Sequence, residues 1–480
     1  MLARSPLSSY RHLRRTLLVL AASCLAVPIA AFGQACPAVP IVNVSSSAIP
    51  ADACVPAGFG GNPIVFFDDY SWRSFVAVVW PAKSGQRGVP DASQTVGGSG
   101  PRVFETFKML HELFHSDGSA PTDWNSYDAP QFNACNVQMQ FGDLVLASFS
   151  KFANLGQAGV GSLVGPLIAQ NQTYVRYETG FNASEFNQIV GPKWFIRANL
   201  PTTITFAIGS VDVKSSWIDM TNVPHPERFY TRSAWLLDPG TGTCSQKTVG
   251  LVGLHIVQKT PTRPQWIWST FEQVDNVPPA QAGAPGNFTF NSGGGAGMPP
   301  VNPFSLDPLP IPTPPPFNVT RTLPINPSTR QTNAQYQAAL VGTPWQFYQL
   351  TMTQWPVVPS SPATPGTPNN TFPGFGATSA FANTTLETFD QGNVKSSCMN
   401  CHNFTNSATD FLWSLNDHAF PSNTPNLLME NKQFKNLQGL LRDVPHTAAT
   451  VEQIKAIKEL KKHLLNMKGA SAPGDAHEQK

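Results

Sequence analysis

Val249-Gly250-Leu251-Val252-Gly253-Leu254-His255-Ile256-Val257 is an apolar run interrupted only by two glycines and one histidine. A short run rich in Val, Leu and Ile, bounded by polar residues, reads as a buried strand. Working outward, Val211-Asp212-Val213-Lys214, Thr202-Thr203-Ile204-Thr205-Phe206-Ala207-Ile208 and Phe75-Val76-Ala77-Val78-Val79-Trp80 have the same character, and Pro81 ends the last of them. Gly, Pro and Asn separate these segments. The pattern predicts a mainly β protein with irregular loops, built as a sandwich or a curved sheet. Glu105 to Phe114 carries Phe107, Leu110, Leu113 and Phe114 at helical spacing and is expected to lie as a helix across one sheet face.

The composition agrees with that class. With 36 Gly, 45 Pro and 12% charged residues, the chain suits a protein rich in turns. From 284 to 316 the pattern collapses into Gly293-Gly294-Gly295 and Pro312-Thr313-Pro314-Pro315-Pro316, and a second Pro-rich stretch runs from Val357 to Pro373. The organisation that follows is a β-rich domain over 36–283, a Pro/Gly-rich connection with a short structured segment over 284–380, and a distinct region over 381–480. In that last region Val451, Ile454, Ile457, Leu460, Leu464 and Met467 form an apolar stripe, so a helix is expected there.

Cys398-Met399-Asn400-Cys401-His402 has the spacing by which haem is attached covalently to protein. Two residues between the thiols bring both sulfurs to one side of a helical turn, where they form thioethers with the haem vinyl groups. The next residue, His402, then aims its imidazole at the iron as the proximal ligand. The bland readings are a zinc site and a redox CxxC. Zinc would need Cys398, Cys401, His402 and His418 together, with adjacent Cys401 and His402 as awkward partners. A redox pair would open a helix after a strand, and Ala382 to Phe389 has only weak strand character. One haem c, in a small α-helical cytochrome c-like region at the C-terminus, is the expectation.

Residues 1–35 carry four arginines and no acidic residue, with an apolar run from Leu17 to Ala31 and a small-residue exit at Gly33-Gln34-Ala35. This is the pattern of a cleaved secretory signal. Arg14-Arg15 admits a twin-arginine variant, and Cys36 a lipid anchor, although Gly33-Gln34-Ala35 lacks the expected aliphatic residue. No later run is long and apolar enough to span a bilayer. A periplasmic address is expected, and in an oxidising compartment Cys36, Cys54, Cys135 and Cys244 are disulfide candidates. Three pairings exist; Cys36 with Cys54 and Cys135 with Cys244 is favoured because the first two are close in sequence, with one bridge or none as the alternative.

The net charge of +2 becomes 27 basic against 29 acidic side chains once the four arginines of 1–35 are removed, so nucleic acid is not an implied partner. Basic residues concentrate between Lys432 and Lys468, either as a docking surface for an acidic redox partner or as a solvated helix face. With no G-x-S-x-G and no phosphate-binding glycine loop, neither hydrolysis nor nucleotide use is expected.

Gly250 to Thr260, the aromatic and charged cluster Arg263-Pro264-Gln265-Trp266-Ile267-Trp268-Ser269-Thr270-Phe271-Glu272, and Ser71 to Pro81 resemble a group of large exported bacterial monohaem c-type cytochromes. The resemblance spans about Phe67 to Asp417. It implies a CxxCH near the C-terminus, haem attachment outside the cytoplasmic membrane, and a long β-rich part covering the haem, so that His255 from far upstream is a candidate sixth ligand. Met429, 27 residues beyond His402, is the local candidate, with His446 behind it, while Met467 reads as core on the apolar stripe. The bland reading of His255 is a satisfied core histidine, and of Trp266 and Trp268 core packing. Lys214, Trp217, Lys259 and Arg263 are candidate donors to the haem propionates.

Three functions follow. The first is a periplasmic carrier of single electrons between a redox protein, or a small-molecule oxidant or reductant, and the haem. The second is a haem enzyme, peroxidase-like or oxygenase-like, with an open axial position. The third is a binding module with an accessory haem.

Overall fold

The computed structural model describes residues 36–146, 167–238, 242–278, 287–293, 318–356, 382–388, 391, 397–398, 402 and 409–421. In chain order the principal elements are helix α1 (Ile64–Val78), strand β1 (Lys108–Met109), helix α2 (Leu110–Leu113), strand β2 (Val145–Leu146), strand β3 (Arg176–Phe181), helix α3 (Ala183–Val190), strands β4 (Val211–Asp219), β5 (Thr231–Leu237), β6 (Cys244–Thr260) and β7 (Arg263–Gln273), helix α4 (Pro327–Ala339) and strand β8 (Tyr348–Gln354). A short helix, Trp413–His418, follows. All belong to the unit Pro37–Lys480. Among the described residues no helix is long and apolar enough to cross a membrane.

The opening run lies within β6, which is the spine of the sheet. One edge of β6 pairs antiparallel with β4 from Val249 to Gln258. The other edge is shared: Cys244 to Gly250 pairs with β5, and Gly253 to Thr260 pairs with β7. Outward, β4 carries β3, β3 carries β1, β7 carries β8, and β2 joins β5 in parallel. The protein is mainly β, with a curled half-barrel sheet. From Val249 onward both faces of β6 are covered, so this part shows little polar alternation, as expected of a doubly buried strand.

The two faces differ. On one, Val213, Trp217, Leu254, Ile256 and Phe271 pack with Trp72 and Phe75 of α1 and Tyr336 of α4 in the largest apolar cluster. Trp72 stacks on Tyr336 at 5.1 Å and donates from Nε1 to Asn333 Oδ1 at 2.9 Å. The other face, with Val257 and Trp268, is covered by Phe186 and Ile189 of α3, by Ile204 and Phe206, and by Phe411, Leu412 and Leu415 from the far end of the described chain.

Three segments depart from expectation. Phe75 to Val78 is the end of a 15-residue helix, not a strand. Its apolar run has no polar phase because nearly every side of α1 is buried, and periodicity cannot separate helix from strand in such a run. Thr202 to Ile208 buries Ile204 and Phe206 alternately but joins no ladder: Phe206 N donates to Asp410 Oδ2 at 2.8 Å and Ala207 N to Gln188 Oε1 at 2.6 Å. Side chains there take the place of a neighbouring strand. Glu105 to Phe114 breaks into a 3-10 turn, β1 and the one-turn α2. Phe107 serves the first apolar cluster and Leu110 and Leu113 the second, so one continuous helix does not serve both.

Cys135 and Cys244 form a disulfide that ties the start of β6 to a loop 109 positions away. Cys36 and Cys54 are also disulfide-bonded. Within 284–380, α4 packs on α1 and β8 extends the sheet. The helix expected over Val451 to Met467 lies outside the described residues, as do residues 1–35.

Candidate functional site

The segment leading toward the CxxCH is seated on the second sheet face through polar contacts. Asn383 Nδ2 donates to Thr270 Oγ1 at 2.8 Å and Phe271 O at 3.1 Å, and Thr384 N donates to Glu272 Oε1 at 2.6 Å. Tyr177 Oη donates to Thr385 O at 3.0 Å, and the hydroxyls of Ser216 and Thr385 are 2.9 Å apart. Glu272 is also ion-paired with Arg321, so both carboxylate oxygens are occupied by buried donors. The seat needs a glycine beneath it. A Cβ on Gly253 would stand 2.2 Å from Thr385 Oγ1 and 2.6 Å from Ser216 Oγ.

The segment then places Glu387 Oε1 2.8 Å from His255 Nε2. Burial acts to raise the Glu387 carboxyl, but the charge and hydrogen bond of His255, the charge of Lys214 and the Asn383 N–H together hold it below the ordinary range. In this arrangement the Nε2 of the upstream ligand candidate is engaged by a carboxylate. Lys214 pairs in register with His255 on the same face.

His402 lies against the same face further along. Its ring is 4.4 Å from that of Trp268, and its Nδ1 is 2.6 Å from Phe411 O. Since a carbonyl only accepts, Nδ1 carries the proton. Cys398 is partly buried against the apolar cluster to which Phe411, Leu412 and Leu415 belong.

Residues 409–421, which present Phe411 O, are anchored at several points. Arg197 Nη2 donates to Asn416 O at 2.9 Å and Ala419 O at 3.1 Å, Arg197 Nε to Pro421 O at 2.8 Å, and Phe420 N to Phe195 O at 2.7 Å. Asp410 Oδ2 accepts from Lys259 Nζ at 2.5 Å, and Asp410 O from Trp266 Nε1 at 3.0 Å. Asp410 and Phe411 have φ of 49° and 72°, and each non-glycine residue so held costs on the order of 1–3 kcal/mol.

This corner is rich in buried charge. Burial pushes the Asp410 carboxyl up to about 6, against the pull of Lys259. It pushes Asp212 up to about 7, against Lys214 and His255. Glu185 is fully buried with neither carboxylate oxygen hydrogen-bonded, and burial, with Asp212 and Asp410 nearby, raises it well above the ordinary range. Lys259 is lowered by its own burial.

Of the expected propionate donors, Lys259 is paired with Asp410, while Trp217 sits in the opposite cluster and donates to Ser215 Oγ at 2.8 Å. Arg263 donates to Thr262 O at 2.6 Å and lies over the Phe67 ring. Lys214 is half-buried on the same face as His255. Cys401, Met429, His446 and Met467 lie outside the described residues.

The expectation that nothing argues for hydrolysis passes over a second motif. His111-Glu112-Leu113-Phe114-His115 has the H-E-x-x-H spacing that sets two histidines on one helical face for zinc. Here α2 ends at Leu113, so no helical face carries both imidazoles. Glu112, which would have to serve as a base, is instead held by Arg87 Nη1 at 3.1 Å and Nη2 at 2.5 Å, and by Met109 N at 3.0 Å. His115 Nδ1 meets Ser119 Oγ at 2.9 Å, its Nε2 is 3.1 Å from Asp128 Oδ2, and its ring stacks on Phe132. Among the described residues no three His, Cys, Asp or Glu side chains converge on a metal position.

The donor set at 398–402 fits haem c. Two thiols at CxxC spacing suit the vinyl groups, an imidazole that donates from Nδ1 suits iron through Nε2, and aromatic and aliphatic side chains suit the porphyrin. No protein-family model, no curated protein and no solved structure matches this chain.

Proposed function

We propose that this chain is an exported monohaem c-type cytochrome that carries single electrons between periplasmic partners. Cys398 and Cys401 hold the haem by thioethers, and His402 binds its iron. The observation that carries the reading is the 2.6 Å contact from His402 Nδ1 to Phe411 O, because it prepares Nε2 as a ligand in the one stretch with haem-attachment spacing. When bound, the haem supplies a one-electron Fe(III)/Fe(II) couple.

The chain's own residues do the rest. Phe411 O keeps a proton on Nδ1 and raises the basicity of the imidazole. The apolar cluster that includes Trp268, Phe411, Leu412 and Leu415 would keep water from a haem bound at His402. The disulfide between Cys135 and Cys244 supports an oxidising compartment, in keeping with the arginine-rich leader.

Carbon monoxide added to the reduced, purified protein separates carrier from enzyme. An unchanged visible spectrum means two protein ligands and a carrier. Rapid binding with a new spectrum means an open axial position, and the peroxidase-like or oxygenase-like reading replaces this one.

A further inference from the structure

Lys259 and Asp410 are 151 positions apart in sequence and form an ion pair whose side chains are 2% and 0% exposed. Apolar side chains of the same volume would be at least as stable in such a place, so packing alone does not account for the pair. Its geometric consequence does. Asp410 receives three donors: Lys259 Nζ and Phe206 N on Oδ2, and Trp266 Nε1 on its carbonyl oxygen. Asp410 and Phe411 are both in left-handed backbone, which non-glycine residues keep only when their surroundings determine it. That backbone turns Phe411 O to within 2.6 Å of His402 Nδ1.

We propose that Lys259 and Trp266 are positioning residues for His402: they clamp the Asp410–Phe411 turn, so that the sheet sets the tautomer, orientation and donor strength of the imidazole. The redox consequence rests on the haem-ligand reading of His402; the tautomer consequence does not. A hydrogen bond from Nδ1–H to a fixed carbonyl makes the imidazole a stronger donor, and a stronger donor favours Fe(III). A loosened clamp therefore raises the reduction potential.

The test uses two full-length variants. Lys259→Met with Asp410→Asn removes the pair without stranding a buried charge, and Trp266→Phe removes one donor while keeping an aromatic ring, which guards against a folding failure of the first. Covalent haem is quantified by its alkaline pyridine spectrum, and the midpoint potential by spectroelectrochemical titration. The expected result is unchanged haem content with the potential of the double variant raised by about 59 mV, a tenfold change in the one-electron equilibrium. Trp266→Phe moves the same way by less, and Lys259→Arg stays nearer the wild type. Unchanged potentials in variants that retain haem overturn the clamp. If the wild-type chain carries no covalent haem, the haem reading fails, and the ¹⁵N shifts of the His402 imidazole decide the clamp by themselves. A proton on Nδ1 that moves toward Nε2 in both variants supports it, and no change overturns it.

Discussion

His255 Nε2 and Glu387 Oε1 stand 2.8 Å apart, joining the centre of β6 to the segment that runs into the haem motif. Glu387 is the partner that titrates low. A carboxyl whose folded pKa is depressed adds stability above its ordinary value of 4.5 and loses it as pH falls through the folded value. Glu387→Gln is therefore expected to cost about 1–3 kcal/mol at pH 7. The gap to the wild type closes in acid. Urea denaturation of both proteins at pH 7 and pH 3 measures it.

The same pair bears on the axial ligand. With Nε2 held by Glu387, His255→Ala leaves the visible spectrum of the ferric haem protein unchanged. A conversion to a high-spin spectrum would show that His255 leaves Glu387 for the iron.

Gly253→Ala is expected to unseat Asn383 to Glu387, since its Cβ would meet Thr385 Oγ1 at 2.2 Å and Ser216 Oγ at 2.6 Å. Overpacking of this kind costs about 1–3 kcal/mol. The loss should be non-additive with Glu387→Gln, because both changes release the same segment. A double-mutant cycle by chemical denaturation reads the coupling, and strict additivity would count against a common seat.

Asp68 titrates in the opposite direction. Burial pushes its carboxyl up to about 7, against hydrogen bonds from Thr329 and Thr353. A raised folded pKa gives stability that is complete below the ordinary carboxyl value and lost as pH rises through about 7. Wild-type stability should fall by about 2–4 kcal/mol more than that of Asp68→Asn between pH 5 and pH 8. Parallel pH profiles would contradict the assignment.

The sheet's spine was legible because Val249 to Val257 is β-branched and leucine-rich over a length that suits a strand. Phe75 to Trp80 was not, because a helix buried on nearly every side shows no polar phase. Thr202 to Ile208 has the alternation of a strand and the burial of one, yet its N–H groups find Asp410 and Gln188 in place of a neighbour. At the candidate site, spacing alone singled out Cys398 and His402. Asn383, Thr384 and Thr385 look like turn residues in sequence, and nothing local shows that Thr270, Glu272 and Ser216 await them. Likewise, Lys259 meets Asp410 only because β6 and β7 fold under the C-terminal segment. His111 to His115 shows the converse: a spacing with a chemical meaning that the one-turn α2 does not realise.

Covalent attachment of haem tests the central claim most directly. The full chain, residues 1–35 included, is produced in a host able to mature c-type cytochromes, denatured, extracted with acidified acetone and assayed for haem that stays with the polypeptide. Wild-type chain is predicted to retain one haem and Cys398→Ala with Cys401→Ala none. Haem that extracts fully from the wild type, or that remains on the double variant, would contradict the account.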